Sequence, residues 1–403
     1  MIFFIFIFLT SDFLSFLIIL TNNLDLAIYF KKVTLFFVVI VSLTSLLKKK
    51  IDKLELLYLV YAFLVISLSL LFNNFTKIIT LQSGYLLIYP LLFTRLGSKY
   101  NNNASIKKFE KFIIFFSLSN FIFMVFEINN TSFLVNIGLS DYFKYVKGVL
   151  SGINIKTDLP FNWHTDFDAN TRRGAGLLLA PLASGMLHAF ASYICMLRYV
   201  DSKSNFFLIA VFLNLYALYL TNSRGPMLFL LISIIIYFYR NKKEITKKLN
   251  IKLCLTFFLI FFTYLILPTL ISAVNLQDAR SVAHFISILN NFNGLNEIPF
   301  LGYGVGMLGS QAVQNLLIEP IKGYGAESSL FSSIYQAGIL FGLIFLIWHF
   351  RLLKFVDKKA YPLLLSGIPI MLTSEHYFTI TGYIYIWYYI GLNIKKNENI
   401  TGI

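Results

Sequence analysis

The sequence predicts an all-α integral membrane protein, a polytopic bundle of about twelve transmembrane helices that forms one domain over residues 1–403. Hydrophobic residues make up 57% of the chain and charged residues 13%, whereas soluble domains are about 45–50% apolar and about 25% charged. The apolar runs are about 20 residues long, which suits helices crossing a hydrocarbon core about 30 Å thick. Lysines cluster between these runs, so the net charge of +15 reflects membrane topology and predicts no nucleic-acid partner.

The expected spans follow one another along the chain. The first, MIFFIFIFLTSDFLSFLIIL, has no basic leader and no small-residue cleavage site. We therefore interpret it as a retained span and not as a signal peptide. The twelve predicted spans are 1–20, 33–47, 54–72, 77–97, 109–127, 174–197, 205–221, 225–240, 253–274, 327–348, 360–375 and 378–394.

The distribution of basic residues predicts the orientation. With a cytoplasmic N-terminus, 23 of the 34 lysines and arginines fall on the cytoplasmic side and 11 on the outer side. The positive-inside rule therefore places both termini in the cytoplasm. Lys31 and Lys32 oppose this assignment, which makes the first hairpin its weakest part. Cys195 and Cys254 both fall on the cytoplasmic side, and no disulfide or metal site is expected from them.

Two long segments, 128–173 and 275–326, fall on the extracytoplasmic side in this topology. Connections longer than about 12–15 residues are usually functional or disordered. Both segments contain aromatic residues such as Trp163 and Tyr303, and disordered segments are poor in these. We expect short helices near the membrane surface in both.

The arginines are distributed differently from the lysines between the two predicted sides of the membrane. Four of the eight lie on the outer side: Arg172, Arg173, Arg224 and Arg280. Arginine has a planar, permanently charged fork that binds phosphate or carboxylate through two hydrogen bonds. Because topology does not account for these four, the sequence predicts an anion-binding site on the outer face. For Arg224 the alternative is a helix-end residue whose charge reaches the interface.

Each outer arginine belongs to a short motif. RRG at 172–174 opens an apolar span, and TNSRGP at 221–226 forms a tight turn with a proline suited to a helix start. Arg280 precedes the glycine pattern GYGVG at 302–306, which alone is a weak signal because no strand precedes it. The segment ESS at 327–329 then opens a further span.

The order of these motifs over residues 170–345 resembles the superfamily of O-antigen polymerases (Wzy-type) and O-antigen ligases. This resemblance implies a glycosyltransferase that uses undecaprenyl-pyrophosphate-linked glycans as donor and acceptor. It would act at the outer face of the bacterial cytoplasmic membrane, without metal or cofactor, to build an O-antigen, capsule or exopolysaccharide. A chain-length regulator protein is an implied partner. The ligases typically carry His-Asn where this chain has Glu327-Ser328, which favours a polymerase.

The resemblance and the residues together suggest roles. The four outer arginines would bind the lipid pyrophosphate. Glu327 would be the base for the acceptor hydroxyl, although an acidic residue at a helix start also stabilises the helix. His376, beside Glu375, is the second candidate for the base. Aromatic residues Trp163, Tyr303 and Tyr324 would contact the glycan.

Two further interpretations stay open at this stage. The segment FNWHTDFD offers His164, Asp166 and Asp168 for a divalent metal or as bases, although a solvated loop rim with a sugar-stacking Trp163 accounts for it as well. A flippase for lipid-linked oligosaccharides, or another secondary transporter, would also have twelve spans. Transporters, however, place polar groups near the midplane and show paired halves. In this sequence the charged residues gather at one face, and His188 and His349 are expected to be packed or interfacial.

Overall fold

A computed structural model gives the structure of residues 1–21, 23–46, 51–72, 77–147, 153–154, 156–160, 163–164, 172–241, 286, 288–306, 328–373 and 380–395. This part of the chain is predominantly α-helical, which confirms the all-α class. It forms two compact units. Unit 1 comprises Met1–Val41 and Lys107–Ile271, and unit 2 comprises Ser42–Ile106 and Ser272–Ile403. The predicted span 253–274 lies outside the described residues.

The described α-helices are numbered here in chain order. They are α1 (Ile2–Ile19), α2 (Leu24–Leu43), α3 (Lys53–Phe72), α4 (Lys77–Lys99), α5 (Asn103–Asn129), α6 (Thr131–Leu134), α7 (Pro181–Ser202), α8 (Asn205–Thr221), α9 (Arg224–Arg240), α10 (Ser329–Ala337), α11 (Ile339–Phe355), α12 (Tyr361–Thr373) and α13 (Ile380–Leu392). Four of these, α1, α2, α3 and α5, are long and apolar enough to cross a membrane, and α8 and α12 are shorter apolar helices.

The first long loop contains short elements. Two π-helical turns, Val135–Leu139 and Tyr142–Val146, follow α6. Two two-residue strands, β1 (Ile153–Asn154) and β2 (Leu159–Pro160), pair antiparallel. A 3₁₀ turn, Gly176–Leu178, precedes α7. The π-helical turns and the 3₁₀ turn pack against α1, so this loop is folded onto the first helix.

Helix α7 is the centre of unit 1. Its side chains are buried from Ala183 through Leu197, and it packs against α8 and α9. Many of these residues are small or polar, as in the run ASGMLHAFAS. Such a helix is stable in a membrane protein when other helices cover it on all sides. Proline at its first position and a left-handed Lys203 (φ 55°) at its C-cap define its ends.

Polar side chains of α5 face α7 along most of its length. Near the start of α5, Glu110 forms a buried ion pair with Arg198. Ten residues further on, Asn120 contacts His188, which lies ten residues back from Arg198 along α7. Since ten residues of helix span about 15 Å, the two helices run antiparallel in a fixed register. At the far end of α5, Glu127 contacts the 3₁₀ turn before α7.

In unit 2, α4 and α13 cross at two glycines. A Cβ atom built on Gly391 would lie 2.1 Å from the carbonyl oxygen of Thr94, and one on Gly97 would lie 2.2 Å from that of Tyr388. Only glycine allows backbones to approach this closely, as at other small-residue crossings in membrane proteins. The described side chains of α13 are almost all buried, which makes it the core helix of this unit.

Several predicted spans have different bounds in the structure; the span predicted at 109–127, for example, is Asn103–Asn129. The second span, predicted at 33–47, begins at Leu24, because Lys31 lies within the helix and pairs with Asp12 of α1 at 3.0 Å. The span predicted at 327–348 is two helices, α10 and α11, separated by Gly338 with φ 88°. The span predicted from 174 begins with the 3₁₀ turn, and its α-helix starts only at Pro181.

Candidate anion-binding site

The arginines of unit 1 that the sequence predicts on the outer side lie where the first long loop returns to the helices. The backbone of Arg172 pairs with that of His164, and this contact holds Arg172 beside Trp163. The guanidinium carbon of Arg172 lies 5.2 Å from the centre of the Trp163 ring. Trp163 in turn meets Phe143 edge to face at 5.1 Å. Packing between the loop and the π-helical turns therefore fixes the position of Arg172.

Arg172 forms an ion pair with Glu127 at the end of α5. Glu127 is fully buried, and its second carboxylate oxygen accepts hydrogen bonds from the backbone N–H groups of Ala175 (3.0 Å) and Gly176 (2.7 Å). Burial lowers the pKa of the Arg172 guanidinium, and the Glu127 carboxylate opposes that shift. The Nε and Nη1 atoms of Arg172 are buried and have no hydrogen-bond partner among the described residues. Both atoms are covered by neighbouring groups, so an anion could bond to them only if those groups moved.

Arg173 joins the two arginine motifs of unit 1. Its Nε donates to the carbonyl oxygen of Thr221 at 2.9 Å, and its Nη2 donates to the hydroxyl of Ser223 at 2.7 Å. The next residue, Gly174, donates its N–H to Leu220 at 2.9 Å. Arg173 itself is buried. Its contacts place the RRG segment against the TNSRGP turn, so the geometry gives Arg173 a positioning role.

Arg224 follows this junction directly. It is the first residue of α9 and is partly buried. The preceding Ser223 has a hydroxyl 3.3 Å from the carbonyl oxygen of Pro181, which ties the turn to the start of α7. The partial positive charge of a helix N-terminus favours anions. The structure therefore brings Arg172, Arg173 and Arg224 to one end of unit 1, with Glu127 as the carboxylate in contact with Arg172.

The glycine pattern of unit 2 is a fixed turn. Gly302, Gly304 and Gly306 all have positive φ values, 74°, 104° and 88°, which favour glycine. The N–H groups of Tyr303 and Gly304 donate to the carbonyl oxygens of Tyr335 (2.7 Å) and Gln336 (3.1 Å). These carbonyls end helix α10 and need partners.

The next two amides of this turn are also engaged. Val305 donates to the hydroxyl of Ser69 at 2.9 Å, and Gly306 donates to the Gln336 side chain at 2.9 Å. Because its amides from Tyr303 to Gly306 bond to protein groups, the turn is no phosphate cradle. Its function is to close the end of α10.

The predicted glycan-binding residues differ in exposure. Tyr303 is half-buried, its ring stacks on Tyr335 with an angle of 8° between the planes, and its hydroxyl donates to the backbone carbonyl oxygen of Glu297 at 2.9 Å. Trp163 is only 1% exposed. Its ring is covered by Arg172 and Phe143 and is not available to stack on a sugar in this conformation. Trp163 supports the arginine instead of forming a solvated rim.

Several predicted residues lie outside the described part of the chain: Arg280, Tyr324, Glu327, His376, Asp166 and Asp168. The residue after Glu327 is described. Ser328 is the N-cap of α10, where its hydroxyl accepts a hydrogen bond from Phe331 at 3.3 Å and lies 3.0 Å from the carbonyl oxygen of Met371. In sequence, Glu327 therefore directly precedes the capping residue of a helix.

Comparison with known proteins found no relative. A scan of protein-family models, a search of curated proteins and a search of solved structures each returned no match. The resemblance to O-antigen polymerases thus depends on the motifs and their order alone.

Among the buried carboxylates that sequence reasoning missed are Glu127 and Asp12. Each is an acidic residue within a long apolar helix, α5 or α1. Carboxylates in such positions are rare, and they pair with cations or mark functional sites. That signal was present in the sequence. Their partners, Arg172 for Glu127 and Lys31 with Lys147 for Asp12, are distant in the chain or on another helix and required the fold.

Proposed function

We propose that the protein is a membrane glycosyltransferase that polymerises undecaprenyl-pyrophosphate-linked oligosaccharide repeat units into a surface polysaccharide. It would cross the bacterial cytoplasmic membrane twelve times with both termini in the cytoplasm. The reaction would take place at the outer face. The polymer would be an O-antigen, a capsule or an exopolysaccharide.

The junction of the RRG and TNSRGP motifs is the observation that carries this proposal. The two segments are distant in sequence, yet Arg173 links them through Thr221 and Ser223. Arginines held in place before substrate arrives stabilise charge that develops in a transition state, and they need not reorganise during the reaction. A pyrophosphate leaving group develops such charge. The arrangement therefore suits departure of a lipid pyrophosphate.

The proposed reaction is a displacement at an anomeric carbon. A hydroxyl oxygen of the acceptor repeat unit forms the new bond to the anomeric carbon of the donor glycan. The bond from that carbon to the pyrophosphate oxygen breaks, and the pyrophosphate leaves with the electron pair. The proton of the hydroxyl passes to a carboxylate, for which Glu327 is the first candidate and His376 the alternative base.

Within this proposal the arginines have different tasks. Arg172 would use its two unpartnered donors for phosphate oxygens once the groups that cover them move. Arg173 holds the turn, and Arg224 follows that turn at the start of α9. Arg280 would complete the set. Tyr303, with its stacked ring, and Tyr324 are the proposed contacts to the glycan.

A second candidate function is transport of a lipid-linked oligosaccharide. It is favoured by a polar contact in the interior of unit 1. His188 Nδ1 lies 2.8 Å from Asn214 Oδ1 of α8, and His188 Nε2 lies 3.0 Å from Asn120 Nδ2 of α5. All three residues are near the middle of their helices and fully buried. Transporters concentrate polar groups at such depth. A ligase-like transfer of the finished glycan is the third candidate.

Incubation of the purified protein with a lipid-linked repeat unit tests the proposal directly. A polymerase gives a ladder of products, whereas a transporter gives none and moves the substrate across vesicles. We expect Glu327→Gln to lower the rate of ladder formation by about 10²–10⁴, the range typical of general-base loss. Glu297→Gln is the matched control, because Glu297 is exposed and its carboxylate has no described partner.

The Glu327→Gln variant and the native protein distinguish a wrong choice of base from a wrong proposed function. An unchanged ladder from Glu327→Gln would show that Glu327 only stabilises the helix start, and His376 would be tested next. Absence of any ladder from the native protein, with transport in vesicles, would refute the polymerase proposal itself.

A further inference from the structure

A separate charged cluster lies on α1. Asp12 is in the middle of this helix, and its side chain is 7% exposed. Lys31 of α2 places its Nζ 3.0 Å from Asp12 Oδ1, and Lys147 places its Nζ 3.4 Å from Asp12 Oδ2. Lys147 also donates to the carbonyl oxygen of Leu179 at 3.1 Å. Three segments of unit 1 therefore meet at one carboxylate.

An aromatic ring holds the two ammonium groups together. The Nζ atoms of Lys31 and Lys147 each lie 5.8 Å from the centre of the Tyr142 ring, and Lys147 is 5.7 Å from that of Phe143. Ammonium groups at this distance are attracted to the ring face. The lysines are thus positioned by ring contacts as well as by Asp12.

The cluster has one more positive than negative charge. Asp25 of α2 and Asp141 before the second π-helical turn are exposed, and neither forms a described ion pair with the lysines. Burying an uncompensated charge is costly. Burial lowers the pKa of Lys147, the Asp12 carboxylate opposes that shift, and the Lys31 ammonium adds to it. An additional anion would compensate the surplus.

The exposed part of the cluster lies beside apolar residues of α2. The side chains of Lys31 and Lys147 are 32% and 20% exposed, whereas Asp12 lies behind them. The side chains that share a face of α2 with Lys31 at helical spacing, Leu24, Ile28 and Leu35, are apolar and partly exposed. Lys31 lies seven residues into α2, about 10 Å from the helix start. An anion that arrives there beside an apolar surface has to be amphiphilic.

We propose that Lys31 and Lys147 bind the phosphate group of an anionic lipid beside the α1–α2 hairpin. Asp12 would orient both ammonium groups and weaken the site at the same time, because it competes with the phosphate. The proposal also accounts for Lys31, which opposes the positive-inside distribution. It is independent of the polymerase reaction and of the arginine site.

Native mass spectrometry of the full chain in detergent, titrated with phosphatidylglycerol or phosphatidylethanolamine, tests this site. We expect Lys31→Met and Lys147→Met each to weaken phosphatidylglycerol binding about fivefold, the contribution typical of one lysine near anionic lipid. Lys32→Met is the matched control, because Lys32 is exposed on the same helix and should have no effect. Asp12→Asn should strengthen binding, since the competing carboxylate is removed.

The lysine variants are expected to weaken lipid binding and Asp12→Asn to strengthen it, and a purely structural role of the cluster does not predict these opposite effects. If Asp12→Asn weakened binding as the lysine variants do, the cluster would be only a buried ion pair. Equal binding by native protein and both lysine variants would also overturn the proposal. Inorganic phosphate is added at the same concentration as a competitor. If it displaced the lipid, the site would bind a free anion and not a lipid headgroup.

Discussion

The Glu127–Arg172 pair allows a stability change to be separated from a functional one. Glu127→Gln keeps the size of the side chain and removes its charge. The glutamine oxygen can still accept from Ala175 and Gly176, but its NH₂ group would then face Arg172 Nη2, donor against donor. Arg172 would lose its carboxylate while most of it stays buried.

The size of the effect follows from burial. Removing one partner of a buried ion pair costs about 3–5 kcal/mol. Glu127 is fully buried, but the Arg172 side chain is 16% exposed, so we expect a loss of about 3 kcal/mol in the free energy of unfolding. In the double variant Glu127→Gln/Arg172→Gln two amides can pair again. The coupling energy should then be about 2 kcal/mol, within the range for contacting residues.

Reversible unfolding in mixed micelles titrated with SDS measures these free energies for the native protein, both single variants and the double variant. Glu110→Gln is the stability control, because Glu110 forms the other buried pair of α5, with Arg198. It should destabilise similarly without affecting the proposed phosphate site. Polymerisation should stay impaired in the double variant, since Arg172 is absent, and should persist in Glu110→Gln. Additive losses in the cycle would refute the paired geometry.

Two further predictions concern topology and packing. Cysteines can be introduced at the exposed positions Ser132 and Asn296 in a background without Cys195 and Cys254. They should react with an impermeant maleimide only from the outer side, whereas a cysteine at Ser202 should not react from that side. Labelling of the first two positions solely from the cytoplasm would overturn the orientation. Gly391→Ala should lower the free energy of unfolding by about 1–3 kcal/mol or more, because its Cβ would meet backbone atoms of α4. If SDS titration gave the same free energy of unfolding for this variant as for the native protein, α4 and α13 would not be in close contact.

Sequence patterns predicted the helices because lipid imposes a simple rule. Every backbone polar group must be satisfied within the segment, so a long apolar run forms a helix. The predicted bounds of α3 and α8 agree with the structure to within one residue. The predicted start of α2 at residue 33 was wrong, because the helix begins at Leu24 and contains Lys31. Its charge is compensated by Asp12 on another helix, which hydropathy alone does not reveal.

The candidate site was predictable only in its residue types. The excess of arginines on the predicted outer side suggested an anion site, and the short motifs singled out Arg172 and Arg224. The distinction between a ligand and a positioning residue was not predictable, because it depends on the contacts of Arg173 with Thr221 and Ser223. The engagement of the glycine-turn amides by α10 likewise appears only in three dimensions.

The register between α5 and α7 limits how unit 1 can move. A slip of one helical turn, about 5.4 Å, would separate Glu110 from Arg198 and Asn120 from His188 in the same step. Each of these groups would then be left buried without its partner, and so sliding has no low-energy intermediate. These two buried contacts therefore oppose sliding between the two helices. A motion that admits the proposed lipid substrate or releases its product is expected to use the elements around α5 and α7, and cross-linking α5 to α7 should leave it unhindered.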